Sequence, residues 1–253
     1  MSSFLALGTA AWDEGPTTRR ALVARLASGR LADLNRIEAF RLRKLGEGDS
    51  ERLAEALVPP SLRRVLDGGP RALARVRQAL AYAEKWDRRG TLPEFLAPPA
   101  SAVTLGPCLP RPAVLRRLDG SQLDRLSVRG PDAELSAAPN PTMAAVGQAG
   151  GTPAGFCLAL EEAGSLILGA WLTDTWPGGS LELRAGGTRR SVSLRAWEGL
   201  ELPPLRAGEL LLLPPPKLKP FSGLLGGAEV RLSTGFEQLV LRLSPEGLHP
   251  TVQ

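Results

Sequence analysis

The second half of the sequence consists of short apolar runs separated by glycine and proline, and this pattern restricts the fold more than any other feature. Each run has the length of a β-strand, and the runs recur at the spacing that is typical of an all-β barrel or sandwich. The candidate strands are GFCLALE, SLILGAWLTD, SLELRAGG, RSVSLRAW, ELLLLP, AEVRLS and QLVLRLS. The stretch GGSLELRAGGTRRSVSLRA predicts a hairpin that turns through residues 185–188.

The first part of the chain has a different pattern, in which two strand-length runs are followed by helical periodicity. FLALGTA and RRALVARLA predict strands on either side of the turn-rich DEGPTT. From Asn35, the predicted N-cap, apolar residues recur at helical spacing. Asp49 or Ser50 is expected to cap a second helix that runs through Leu57.

Two more helices follow before the chain becomes rich in proline. PPSLRRVLDGG predicts a short helix with Pro60 near its start and Gly68 just past its end. The segment 70–87 carries one apolar stripe and predicts the longest helix, since Leu73, Val76 and Leu80 lie on one face.

These patterns predict an α+β fold in two parts. A small αβ domain is expected over residues 1–100, a Pro-rich linker over 101–112, and a mostly β domain over 113–253. A chain of 253 residues, 43% of them apolar, can bury a substantial core.

Composition argues against several functional classes. The net charge is +5, but the arginines are interleaved with acids and no aromatic-plus-basic platform is present, so nucleic-acid binding is not expected. No apolar run approaches the length of a membrane helix and the N-terminus lacks a secretory pattern, which favours the cytoplasm. Cys108 and Cys157 suit a reducing compartment and are interpreted as small buried hydrophobic residues.

One acidic stretch is a candidate functional motif. PDAELSA places Asp132 and Glu134 two residues apart, which on an extended chain puts both carboxylates on one face. From the residues alone, the pair is either half of a metal site or two ordinary acidic side chains on an exposed strand.

Several motifs, in this order, resemble the fumarylacetoacetate hydrolase (FAH) family. They are LADLN (31–35), ALVPPSLRRVLDGGPRALARVRQALAYAE (56–84), GPCLPRPAV (106–114), GAWLTDTW (169–176), LRAGELLLLPPP (205–216) and LLGGAEVRLSTGFEQLVLRL (224–243). The resemblance implies a small αβ N-terminal domain and a compact β domain in which mixed sheets roll up around a pocket, commonly as a homodimer.

The resemblance also implies a metal site. Members of the family hold Mg²⁺ or Mn²⁺ with an acidic E-x-E pair and an Asp on a later strand. Here Asp132, Glu134 and Glu161 would be the ligands, with Glu161 in place of the Asp. Hard divalent cations prefer such carboxylate oxygens.

Other family features are missing from this sequence. The segment with the family's Asn-Tyr and general-base histidine is shortened, its pocket lysine is absent, and His249, in the C-terminal tail, is the single histidine. No catalytic residue is therefore assigned. GQAGGTPAG lacks the lysine and Ser/Thr of a phosphate-binding loop, so no nucleotide cofactor is expected.

Two functions follow from this comparison with the family. The first is a non-catalytic binding or partner subunit (a pseudoenzyme), present as a homodimer or bound to an intact paralogue. The alternative is a divergent metal-dependent hydrolase, lyase or isomerase that acts on a small oxo-acid or another carbonyl compound.

Overall fold

The computed structural model describes residues 5–136, 140–162, 164–175, 180–185, 187–197, 199–215, 229–234 and 237–243. Its helices are α1 (Leu34–Lys44), α2 (Ser50–Leu57), α3 (Leu62–Asp67) and α4 (Gly69–Asp87). Its strands are β1 (Ala6–Glu14), β2 (Thr17–Arg25), β3 (Leu31–Asp33), β4 (Thr104–Leu105), β5 (Val114–Arg117), β6 (Ser127–Arg129), β7 (Glu134–Leu135), β8 (Asn140–Gly147), β9 (Pro153–Glu162), β10 (Ser165–Leu168), β11 (Trp171–Thr173), β12 (Ser180–Ala185), β13 (Thr188–Ser193), β14 (Glu209–Leu212), β15 (Glu229–Ser233) and β16 (Gln238–Leu243).

The described strands form a main sheet of eleven strands and a second sheet of five. The main sheet has the order β3-β2-β1-β11-β9-β8-β14-β5, while β4 pairs with β1, and β10 pairs with both β9 and β6. Most neighbours are antiparallel, but β14 runs parallel to β5. The second sheet has the order β13-β12-β15-β16-β7.

The central strands β8 and β9 are buried on both faces. On β9, Cys157 and Ala159 pack in a core that includes buried residues of α1, α3 and α4, whereas Leu158 and Leu160 pack in a core with residues of the second sheet. Successive side chains of a strand point to opposite faces, so one apolar run fills both cores. This double burial explains why these strands lack a polar face.

Most predicted elements are confirmed. The helices at 50–57, 62–67 and 69–87 and the hairpin through 185–188 are present, and the predicted α+β fold class with a mostly β second part is confirmed. No helix of the described ranges is long and apolar enough to span a bilayer. The predicted division at 100 and 113 stays a prediction, and β1 pairs with β11 of the later sequence.

The predicted cap of the first helix was wrong. The N-cap is Asp33, whose buried carboxylate accepts a hydrogen bond from the main-chain N–H of Arg36 at 3.1 Å and pairs with Arg19 at 2.6 Å. Asn35 lies inside α1, where its Nδ2 donates to the carbonyl of Val58.

Two strand predictions need correction, and one strand was missed. SLILGAWLTD is broken at Gly169 into β10 and β11, because the carbonyl and N–H of Gly169 bond to Cys108 and Leu158 while Trp171 pairs with Gly8. RSVSLRAW leaves the strand at Ser193 and continues as a 3-10 helix, Leu194–Trp197. Strand β8 was missed, since the proline in NPTMAAVG argues against a central strand.

Candidate functional site

The ends of four neighbouring strands of the main sheet, β5, β14, β8 and β9, lie on one side of the sheet, which we call an edge. β5 and β14 end there, because Arg117 is paired with Leu212 in a parallel ladder. β8 begins there and β9 ends there, with Asn140 paired with Glu161. We call Arg117, Arg129, Glu161 and Glu162 the charged edge.

Glu161 forms an ion pair with Arg117. The Nη2 of Arg117 donates to Oε1 of Glu161, and the two side chains are 33% and 21% exposed. In the sheet order, β8 and β14 lie between their strands. Three strand spacings separate β5 from β9, about 14 Å in a flat sheet, and the long side chains of arginine and glutamate together span that distance. The pair therefore joins two strands of the main sheet that are not neighbours.

Glu162 is held on the opposite face of β9. Its side chain is 1% exposed, and its Oε2 lies 2.9 Å from Nη1 of Arg129. Ser136 donates to Oε1 through its N–H and its hydroxyl, and Ser165 donates to Oε2 at 3.1 Å. Arg129 also donates from Nη2 to the carbonyl of Glu134. The pair thus connects β6 and β9 to the segment around β7.

The structure does not bring the three predicted metal ligands together. Asp132 is exposed in a turn, and Glu134 is exposed in the two-residue strand β7, which pairs with β16 of the second sheet. Glu161 faces the other way along β9, while its neighbour Glu162 faces this segment. Among the residues that the structure describes, no three His, Cys, Asp or Glu side chains are grouped so as to hold a metal ion. The site at these residues stays a prediction.

The charged edge does not fit Mg²⁺ or Mn²⁺. These cations need several free oxygen ligands, but both carboxylates already bind guanidinium groups. On β8, Asn140 lies opposite Glu161 and is followed by Pro141, and neither side chain is a carboxylate. A cation here would have to displace an arginine from the carboxylate it neutralises.

Another buried carboxylate, Glu237, was not found from the sequence. Glu237 lies between β15 and β16 and is 5% exposed. Its Oε1 accepts a hydrogen bond from the N–H of Ala170 at 2.6 Å, and Oε2 is buried without a hydrogen-bond partner among the described residues. A Cβ on Gly169 would meet the carboxylate oxygens at 2.6 Å, so only glycine leaves room for this side chain.

The environment of Glu237 favours its protonated form. Burial raises its pKa from 4.5 to about 7, although the main-chain N–H groups of Ala170 and Trp171 and the charge of Arg25 lower it in part. A carboxyl with a pKa near neutrality is typical of functional sites as well as of buried structural acids. Its sequence context, TGFEQLV, resembles an ordinary strand boundary and carries no signal of burial.

The two cysteines lie in the same region. Cys108 donates its N–H to the carbonyl of Gly169 at 2.9 Å, and both thiols are fully buried as predicted. The hydrogen bond with Cys108 and burial raise the pKa of the Cys157 thiol well above its usual value, and the negative charge of Glu237 adds to this. The thiolate is the reactive form of cysteine, so Cys157 is a poor nucleophile. His249 and Trp176 lie outside the described residues.

Comparison with known proteins identifies the fold. No protein-family model matches the chain, and no curated protein matches it in sequence. The structure is similar to that of maleylpyruvate hydrolase from Sphingobium sp. SYK-6, with a TM-score of 0.56 and 14% identity over 94% of this chain and 99% of that chain.

Two further structures agree with this result. The same hydrolase in complex with manganese(II) ion and pyruvate gives a TM-score of 0.54 and 14% identity, over 94% of this chain and 98% of that chain. A 2-keto-3-deoxyarabinonate dehydratase gives a TM-score of 0.50 and 10% identity over the same shares, 94% and 98%. The resemblance to the FAH family is therefore confirmed for the fold.

Proposed function

We propose that this chain is a non-catalytic protein of the FAH fold that acts as a binding or partner subunit. The observation that carries the proposal is the charged edge, where Arg117 and Arg129 neutralise Glu161 and Glu162. These carboxylates lie at the end of β9, where the family resemblance placed the third metal ligand. A guanidinium group now holds each of them.

The size of the electrostatic effect supports this proposal. Two unit charges of the same sign about 4 Å apart repel by roughly 4 kcal/mol at the effective dielectric of a protein surface, and a divalent ion doubles this. This repulsion is about as large as the attraction that the Glu162 carboxylate would offer the same ion at that distance, so the two largely cancel. With Arg129 in place 2.9 Å from Glu162, a divalent cation is not expected to bind at that carboxylate.

The partners expected from the sequence belong to this proposal: a second copy of the chain or an intact paralogue, with a small oxo-acid as a ligand, in the cytoplasm. Light scattering coupled to size-exclusion chromatography distinguishes a homodimer from a monomer. If the protein is a monomer and binds no paralogue, the partner-subunit role is excluded. Binding of a small oxo-acid is then the remaining part of the proposal.

A second candidate function is an enzyme that acts on small oxo-acids. The similarity to a hydrolase and a dehydratase favours it, since one of those structures contains manganese(II) and pyruvate. Among the described residues, no group of three His, Cys, Asp or Glu side chains could hold the metal ion of such an enzyme. His249 would be the sequence's single histidine for such a role.

Turnover separates the two candidates. Purified protein is incubated with acetylpyruvate and with oxaloacetate, with and without Mn²⁺, and the products are followed by proton NMR. The non-catalytic proposal predicts rates equal to those without protein under both conditions. A rate that requires the protein, and that falls in a Glu161→Gln variant, would favour the enzyme instead.

A further inference from the structure

A cleft of about 410 Å³ lies between strands β1, β2 and β4 and the start of α3. Most of its wall is apolar, and its eleven lining residues include no acidic side chain. The apolar part of the wall consists of Ala10, Ala11, Ala21, Pro60, Pro107 and Pro110. The volume falls in the range of small-molecule sites, and none of the charged-edge residues lines it.

One free guanidinium stands at this cleft. Arg20 is paired across the β1–β2 ladder with Ala11, and its exposed side chain makes no ion pair or hydrogen bond with any residue of the described ranges. Its neighbour Arg19 points to the other face of β2, where it is held by Asp33 at 2.6 Å. Arg19 is thus paired with a carboxylate, whereas no acidic side chain of the described ranges pairs with Arg20.

Two hydroxyl groups of the lining are also unused. Ser61 is the N-cap residue of α3, but its side chain makes no capping hydrogen bond. Thr104 is exposed, its main chain pairs with Ala11, and its hydroxyl has no partner among the described residues. The hydroxyl of Thr9, in contrast, donates to the carbonyl of Pro107 at 2.7 Å. Arg20, Ser61 and Thr104 therefore offer free donors around one apolar space.

We propose that this cleft binds a small monocarboxylate with an apolar body. The planar guanidinium of Arg20 matches the two oxygens of a carboxylate, and the hydroxyls of Ser61 and Thr104 add donors. The alanine and proline walls receive the apolar body. A single cation balances a single negative charge, and the apolar wall disfavours a dianion such as phosphate because its second charge would be left uncompensated.

The test uses benzoate and cyclohexanecarboxylate as probes and benzamide as the uncharged match. Binding to the full chain is measured by isothermal titration calorimetry and by ligand-observed NMR. Saturable binding of at least one carboxylate is expected, with benzamide about ten- to a hundredfold weaker because it lacks the charge-assisted hydrogen bonds. Absence of carboxylate binding at millimolar concentration would overturn the proposal.

Three variants locate the site. Arg20→Gln should weaken carboxylate binding about ten- to a hundredfold, whereas Arg88→Gln removes the same charge from an exposed arginine outside the cleft and should leave binding unchanged. Ala11→Leu keeps Arg20 but fills the space beside it, and should also abolish binding. Equal affinity in all three variants, or equal loss in Arg20→Gln and Arg88→Gln, would contradict a site at Arg20. Circular dichroism confirms that each variant is folded.

Discussion

Glu162 and Glu237 are both buried, yet different groups bond to their carboxylates. Glu162, at the charged edge, is bonded by Arg129, Ser136 and Ser165. Glu237 accepts a hydrogen bond from the main-chain N–H of Ala170, its Oε2 has no hydrogen-bond partner among the described residues, and burial raises its pKa to about 7. The two carboxylates thus differ in their direct partners, since Glu162 binds a guanidinium group and two serines, whereas Glu237 accepts a hydrogen bond from the main-chain N–H of Ala170.

The largest effect is expected from removing the guanidinium at the charged edge. Arg129→Leu removes the cation beside the Glu162 carboxylate, which is 1% exposed, while Arg129 itself is 34% exposed; because water reaches the arginine, we expect a loss of about 3 kcal/mol of unfolding free energy, the lower end for a buried pair. Urea unfolding at neutral pH measures it. The matched control, Arg129→Leu combined with Glu162→Gln, should recover most of the loss. If Arg129→Leu alone is as stable as the wild type, Glu162 does not depend on its arginine and the contrast with Glu237 is lost.

The pH dependence of stability tests the other half of the comparison. The Glu237 carboxyl has a pKa of about 7 when folded, against 4.5 for the unfolded chain. Between these values the folded state binds more protons, so stability falls as pH rises. We expect Glu237 to contribute a loss of about 3 kcal/mol between about pH 4.5 and pH 8.

Glu237→Gln is the matched variant for this measurement, since glutamine keeps the size and stays neutral. It should match the wild type near pH 4.5 and exceed it by about 3 kcal/mol near pH 8. Urea unfolding across this pH range gives both curves. If the two curves run parallel, Glu237 does not titrate in this range.

A smaller effect is expected at the partly exposed half of the charged edge. Arg117→Gln breaks the pair with Glu161, but both side chains reach water, being 33% and 21% exposed. Solvent screening reduces the cost to about 1 kcal/mol, and the difference should shrink in high salt. A loss as large as that of Arg129→Leu would show that Glu161 depends on its arginine as strongly as Glu162 does.

An exposed ion pair sets the baseline. Arg64 and Glu55 lie 3.2 Å apart with side chains 64% and 62% exposed. Glu55→Gln should change the unfolding free energy by less than about 0.5 kcal/mol. A larger change would mean that, in this chain, the loss of unfolding free energy does not increase from exposed to buried ion pairs.

The elements were largely predictable because their signals are local. The stripe of Leu73, Val76 and Leu80 specifies α4, and the alternation in QLVLRL specifies β16. Strand β8 was missed because its central position is set by β9 and β14, which override the signal of Pro141. The break at Gly169 depends on contacts with Cys108 and Glu237 that no local pattern contains.

The site was less predictable because its contacts join distant residues. The Arg117–Glu161 pair spans 44 positions and the Glu237–Ala170 contact spans 67. The strand alternation distinguishes Glu161 from Glu162, but only the packing of the second sheet shows which face meets the PDAELSA segment. The acidic motif PDAELSA could therefore be recognised from the sequence. The arginines that pair with Glu161 and Glu162 could not.

Calorimetric titration of Mn²⁺ into the wild-type chain tests most directly the claim that arginines have taken the place of a metal. The matched variants are Glu134→Gln and Glu161→Gln, which remove two of the ligands predicted from the sequence. No saturable binding is expected in any of the three proteins at millimolar Mn²⁺. Stoichiometric binding to the wild type that disappears in both variants would contradict the claim and establish the carboxylate site.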